Sequence, residues 1–347
     1  MSEPRPGALM AAEVAEQPTV LARLLAEGPA PAREVASILA GRSPRFVLLA
    51  ARGTSDHAAL YAKYLVEVLL GLPAGLASPS TMTAYGVRPD LRDVLVISVS
   101  QSGTSPDLVE YTEVARSCGA TTLAVTNAPG SALAETAELH IDVQAGVERA
   151  VAATKTYSAE LLALWQVIDA LRGGDGSAAE GVPSRASQLV GRRHEVAELA
   201  SRYRFADRMV VTGRGFSYPT AREAALKLME TSYVAAHAFS GADLLHGPLA
   251  MIDEERPVVA VVPDGVGATA MAPVVERLAS RGADLLVLGG QQTREWGTAR
   301  FTLPPAPEEL APVTDIVPLQ WLALEMSLAR GFDPDRPRGL SKVTETW

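Results

Sequence analysis

With 347 residues, 48% hydrophobic and 20% charged, the chain has room for about two domains of ~100–200 residues and is too apolar for wholesale disorder. Its 31 basic and 40 acidic side chains leave a formal net charge of −9, which argues against general nucleic-acid or anionic-membrane binding, because phosphates would be repelled overall; a local basic pocket for one phosphate stays compatible. Cys118 is the only cysteine, so an intrachain disulfide, a cysteine metal site and an iron–sulfur cluster are excluded, and a reducing cytoplasm fits best.

In chain order, residues 1–40 read as a helical segment. Glu3, Glu13, Glu16 and Glu27 break any signal-peptide core there, and no run of 18 apolar residues follows, so no membrane span is expected. A first strand is expected at 46–51, followed at once by Arg52-Gly-Thr-Ser55 and a helical pattern through Leu70. A second strand at 94–100 leads through a polar loop to a helix over 106–117, and a third strand falls at 122–125. Short apolar strands alternating with helices predict a parallel sheet covered on both faces.

The pattern then recurs. The stretch 208–213 runs into Arg214-Gly-Phe-Ser217 as 46–51 runs into Arg52-Gly-Thr-Ser55, placing Gly215 162 positions (215 − 53) after Gly53. Likewise 257–262 matches 94–99, and Gly282 follows Gly119 by 163 (282 − 119). The expectation is an α/β fold of two tandem domains, 41–172 and 188–330, each a parallel sheet flanked by helices and related by internal duplication. Between them, 173–187 reads as a flexible Gly- and Pro-containing linker. The stretch 331–347, with Pro334 and Pro337, cannot be a continuous helix and reads as an irregular tail.

The loop Ser100-Gln-Ser-Gly-Thr-Ser-Pro106 is the most informative segment. Gly103 permits a tight path, Ser105 suits an N-cap and Pro106 the first helical position, so amides and hydroxyls converge on the positive end of a helix, where an anion is favoured. The loop lacks the patterns of a Walker A or dinucleotide site, which points to a small phosphorylated metabolite; an ordinary hydroxyl-capped turn is the alternative. Gly53-Thr-Ser55 sits at the corresponding turn of the first strand, where adjacent strand ends share a crevice. On a helix over about 220–234, Glu223, Lys227 and Glu230 share one face, either as a solvated salt-bridged stripe or as a carboxylate beside an amine suited to moving a proton between adjacent carbons. His246, before Gly247 and Pro248, could act near neutral pH or simply cap a helix. The other histidines show no metal-ligand spacing, and Lys342 sits in the tail.

Taken in order, Glu16-Gln-Pro18, Arg52-Gly-Thr-Ser55, Ser100-Gln-Ser-Gly103, Val151-Ala-Ala-Thr-Lys155, Ala224-Ala-Leu-Lys-Leu228, Glu230-Thr-Ser-Tyr233, His246-Gly-Pro-Leu249 and Pro337-Arg-Gly-Leu-Ser-Lys342 resemble the isomerase half of glucosamine-6-phosphate synthase, a pair of sugar isomerase (SIS) domains. The resemblance runs from about residue 10 to the end. It implies that Thr54, Ser100, Gln101, Ser102 and Ser105 cradle a sugar phosphate. By the same resemblance Glu230 is the base that moves a proton between C1 and C2, Lys227 the amine beside it, His246 the ring-opening histidine and Lys342 the tail lysine that reaches the open-chain carbonyl. It implies a homodimer with shared active sites, since the family's histidine crosses the dimer interface; proton transfer and release of the C2 amine require no metal or organic cofactor.

Several positions depart from the synthase pattern. Residue 2 is Ser2 rather than the cysteine nucleophile of a glutaminase domain, so glutamine hydrolysis by this chain is not expected, although a separate glutaminase chain could supply ammonia. Ala153, carried over as a sugar-binding position, stands where the synthase has serine; His237 replaces a frequent glutamate, and Leu245 a frequent basic residue. These changes shift the expectation to the stand-alone SIS-type deaminases, which convert glucosamine 6-phosphate to fructose 6-phosphate and ammonia. The alternatives are a fructosamine-6-phosphate deglycase, an ammonia-dependent aminotransferase-type isomerase, or a non-catalytic sugar-phosphate-binding regulator. Retention of Lys227, Glu230, His246 and Lys342 together favours catalysis.

Overall fold

The computed structural model describes residues 5–342, which divide into two compact units. The first takes residues 19–148 and 155–180, and the second 5–18, 149–154 and 181–342.

The first unit is built on a parallel sheet of β1 (Phe46–Ala50), β2 (Ala74–Leu76), β3 (Val94–Ser100), β4 (Thr121–Thr126) and β5 (Leu139–Asp142), in the order β2-β1-β3-β4-β5. β3 is buried from Leu95 to Ser100, as expected of a central strand covered on both faces, and its last residue, Ser100, pairs with Thr126 of β4. One part of the core gathers Ala50, Val96, Leu108, Tyr111 and Ala115. The helix Gly53–Leu65 follows β1, Pro106–Ser117 follows β3, and Lys155–Leu171, buried from Lys155 to Asp169, packs on Gly53–Leu65.

The second unit repeats this plan. β6 (Arg208–Gly213), β7 (Ala235–Ser240), β8 (Pro257–Val262), β9 (Asp284–Gly289) and β10 (Ala299–Thr302) form a parallel sheet in the order β10-β9-β8-β6-β7. Read from the other edge, that is the order of the first sheet, as duplication requires. The helix Ser217–Ser232 follows β6 and packs on the long buried helix Ala311–Ala329. It ends where Tyr233 turns into the left-handed region at φ 55°.

Two stretches differ from the sequence reading. Residues 173–187 are not an unstructured tether. Gly174 N–H donates to the Asp169 carbonyl (2.8 Å) and Gly176 N–H to the Asp169 carboxylate (3.0 Å), a short 3-10 turn follows at Ser177–Ala179, and the helix Val182–Val190 begins inside the stretch. Asp169 thus serves as the anchor that composition alone could not reveal. In the tail, 331–342 is irregular as expected but tied down: the Asp333 and Asp335 carboxylates accept from Gly7, Leu9 and Met10 N–H at 2.8–2.9 Å. The remaining tail positions, 343–347, lie outside the described residues. Among the described residues no helix is long and apolar enough to cross a membrane.

Candidate active site

In the first unit, the turns after β1 and β3 each contain a left-handed glycine: Gly53 at φ 55°, the first residue of the helix Gly53–Leu65, and Gly103 at φ 61°, ahead of the helix Pro106–Ser117. A side chain at Gly103 would come within 2.0 Å of the Ser131 hydroxyl, so only glycine permits this path. Buried Ser100 Oγ accepts from Gly103 N–H (3.2 Å), and Ser102 Oγ accepts from both the N–H and the hydroxyl of Thr104 (3.3 and 3.0 Å). Each serine oxygen is therefore engaged as an acceptor, which leaves its own proton to donate outward. Ser105 takes the N-cap position before Pro106 with extended backbone and no hydrogen bond from its side chain to the helix. Thr54 is half-buried in the first turn of the helix Gly53–Leu65.

Three carboxylates that sequence reasoning did not select support this region. Buried Glu148 accepts from Gln101 Nε2 (2.6 Å) and from Thr156 N–H (3.2 Å). Glu160, 1% exposed, accepts from Ser55 Oγ at 2.8 Å. Asp107, on the first turn of the helix Pro106–Ser117, pairs with Arg52 at 2.6 Å and so joins the two strand-end turns. Gln101 and Glu148 lie 47 residues apart, and Ser55 and Glu160 105 apart, so no local pattern announces them. An acidic residue at Asp107, in the first turn of a predicted helix, is the one signal that was legible.

In the second unit, Glu223, Lys227 and Glu230 do share a face, but it is not a solvated stripe. Glu223 and Lys227 side chains are fully buried and Glu230 is 21% exposed; Lys227 Nζ lies 2.5 Å from Glu230 Oε2 and 3.3 Å from Glu223 Oε1. Burial pushes the Lys227 ammonium toward neutrality, but the charges and hydrogen bonds of Glu223 and Glu230 outweigh it and raise its pKa. The lysine is thus a fixed, enclosed cation, and Glu230 is the member that reaches solvent. A carboxylate aimed by a charge-assisted hydrogen bond, with access on its other side, is equipped to take and return a proton. Lys227 orients that carboxylate.

His246 is exposed on the turn that closes the helix Gly241–Leu245, its backbone N–H on the Asp243 carbonyl (3.0 Å), and Gly247 follows at φ 120°. Lys342 is half-buried at the end of the described tail. Half-buried Ala153 belongs to the second unit, whereas Ser100–Pro106 belongs to the first. Among the described residues no group of three or more His, Cys, Asp or Glu side chains is placed to hold a metal ion.

A model of the SIS domain matches residues 42–170 and 203–330. The isomerizing glutamine–fructose-6-phosphate aminotransferase of Pyrococcus horikoshii is 34% identical over 346 aligned positions, covering 96% of this chain and 57% of that protein. The chain therefore spans a little over half the length of that relative. Among solved structures, the C-terminal domain of glucosamine–fructose-6-phosphate aminotransferase from Francisella tularensis matches 97% of this chain and 100% of its own at 25% identity and a TM-score of 0.86. Glucosamine-6-phosphate deaminase from Thermotoga maritima shares the fold, with a TM-score of 0.74 at 23% identity over 98% of this chain and 100% of that one.

Proposed function

The chain belongs to the SIS domain family, and from that premise we propose that it is an enzyme of the sugar-phosphate isomerase class that deaminates glucosamine 6-phosphate to fructose 6-phosphate and ammonia. The observation that carries this reading is the Glu230 carboxylate, partly open to solvent and held at 2.5 Å by the enclosed Lys227 ammonium. In the open-chain sugar, Glu230 removes the proton from C2, the electron pair forms the C1–C2 enol bearing the amine, and O1 takes up a proton from solvent. Glu230 then returns its proton to C1 while the amine gives up a proton to solvent, leaving an imine at C2. Water adds there and ammonia departs, so one water is consumed for each ammonia and fructose 6-phosphate formed. The Ser100–Pro106 turn holds the phosphate through hydroxyl and amide donors at a helix N-terminus. Nothing in the sequence proton transfer, hydration and amine loss calls for a redox group.

The test is product analysis with a panel of amino-sugar 6-phosphates and fructosamine 6-phosphates. Equimolar ammonia and fructose 6-phosphate from glucosamine 6-phosphate is the expected result. Amine release from a fructosamine 6-phosphate alone would transfer the assignment to a deglycase, and tight binding of every sugar without turnover would make the chain a sensor.

A further inference from the structure

A carboxylate can only accept hydrogen bonds, so the short contact between Gln101 and Glu148 fixes which end of the Gln101 amide is which. Glu148 Oε1 is engaged by Thr156 N–H (3.2 Å), and Oε2 stands 2.6 Å from the Gln101 amide, which must therefore present Nε2 to it. The second Nε2 proton has Thr156 Oγ1 at 3.5 Å. Both amide protons thus have protein acceptors, and the end of Gln101 left without a partner among the described residues is the carbonyl oxygen. The main chain is pinned as well, since the Gln101 carbonyl accepts from Asn127 N–H at 3.1 Å. Glu148 itself is buried at 7% exposure, on an element distant in sequence from the loop it supports.

This matters because a phosphate dianion needs donors, and an amide oxygen beside it would repel it. We infer that the Gln101 side chain reads a hydroxyl on the carbon chain of the sugar rather than the phosphate, and that Glu148 is the positioning residue that sets it to accept. The inference rests on the sugar-phosphate reading above and deepens it: hydroxyls and amides of the Ser100–Pro106 turn take the anion, while the Glu148–Gln101 pair discriminates the carbon chain.

The experiment measures, by calorimetry, the affinities of wild type, Gln101→Met and Glu148→Gln for fructose 6-phosphate and for inorganic phosphate. Gln101→Met keeps the length of the half-buried side chain and removes both polar ends; Glu148→Gln lets the Gln101 amide turn over. Both variants are expected to bind fructose 6-phosphate about three- to tenfold more weakly, the scale of one neutral hydrogen bond, with affinity for inorganic phosphate unchanged. Equal losses for both ligands in Gln101→Met would place the amide on the phosphate and overturn the inference, as would unchanged binding of both. If Glu148→Gln unfolds in a thermal melt, Gln101→Met alone decides. Wild-type protein that binds neither ligand would instead overturn the sugar-phosphate reading itself, a result distinct from any variant-specific change.

Discussion

β3 of the first unit runs out into Ser100-Gln-Ser-Gly-Thr-Ser-Pro106, and its counterpart β8 of the second runs out into Val262-Pro-Asp-Gly-Val-Gly267. Gly103 and Gly265 turn the chain at positive φ in both, 162 positions apart (265 − 103), the same offset as Gly53 and Gly215. In the first turn the side chains are hydroxyls with protons to give. In the second the amides are already taken: Val266 and Gly267 N–H donate to the Glu308 carboxylate at 2.9 and 2.7 Å, and Gly265 N–H to Gln292 Oε1 at 3.2 Å. An internal carboxylate thus sits where an external anion would have to bind. The helices after β1 and β6 differ in the opposite sense. Glu223, Lys227 and Glu230, set back by the same 162, fall on Tyr61, Leu65 and Val68, which carry no charge. Duplication supplied two equivalent backbones that carry different side chains: one copy has the hydroxyl turn, and the other has the charged helix face.

If the proton-transfer work belongs to the second copy, its largest signature is at Glu230. Glu230→Gln keeps shape and removes basicity, so turnover is expected to fall by about 10²–10⁴-fold while substrate binding persists. Steady-state kinetics with a separate binding measurement decides it; near-normal turnover under conditions where chemistry limits the rate would move suspicion to Glu223 on the same face.

Next in size is a stability contrast between counterparts. Lys227→Met removes the buried ammonium that faces both Glu223 and Glu230, and breaking a buried ion pair from one side typically costs about 3–5 kcal/mol. Leu65→Met, at the equivalent fully buried position of the first unit, changes shape without charge and should cost less than about 1.5 kcal/mol. Denaturant unfolding compares them, and equal losses would mean that Lys227 is only a packing element. The pH dependence follows from the direction of the shift. A lysine whose pKa is raised in the fold binds its proton more tightly there, so its stabilisation is complete below its ordinary value of 10.5 and is lost only as pH rises beyond that.

The repeat that frames this contrast was legible because its central strands are short apolar runs closed by Gly turns at a constant offset. The edge strands were not. β2, at Ala74–Leu76, and β5, at Leu139–Asp142, are too short for periodicity, and pairing with β1 and β4 decides them. The Glu223–Lys227–Glu230 face was legible as spacing but not as environment: i, i+4, i+7 looks the same on a solvated helix and on one packed against Ala311–Ala329. The hydroxyls of the Ser100–Pro106 turn could be read directly. The carboxylates that hold Gln101 and Ser55, Glu148 and Glu160, could not, because each reaches that partner across the fold rather than along the chain. Residues 173–187 show the same limit, since Gly and Pro signal a turn but say nothing of the Asp169 carboxylate that holds it.

The smallest expected effect is also the sharpest test of the two turns. Ser102 Oγ accepts from Thr104 twice over and has its proton left to give, so Ser102→Ala removes one donor to the phosphate that is present in ground state and transition state alike. KM should rise about three- to tenfold with kcat nearly unchanged, because uniform binding is lost. Glu308→Gln alters the corresponding turn of the second copy, where the amides already serve an internal carboxylate, and should leave KM for the sugar phosphate unchanged. A KM that rises with Glu308→Gln and ignores Ser102→Ala would reverse the assignment, placing the substrate anion on the turn after β8 and making the hydroxyls after β3 a helix cap and nothing more.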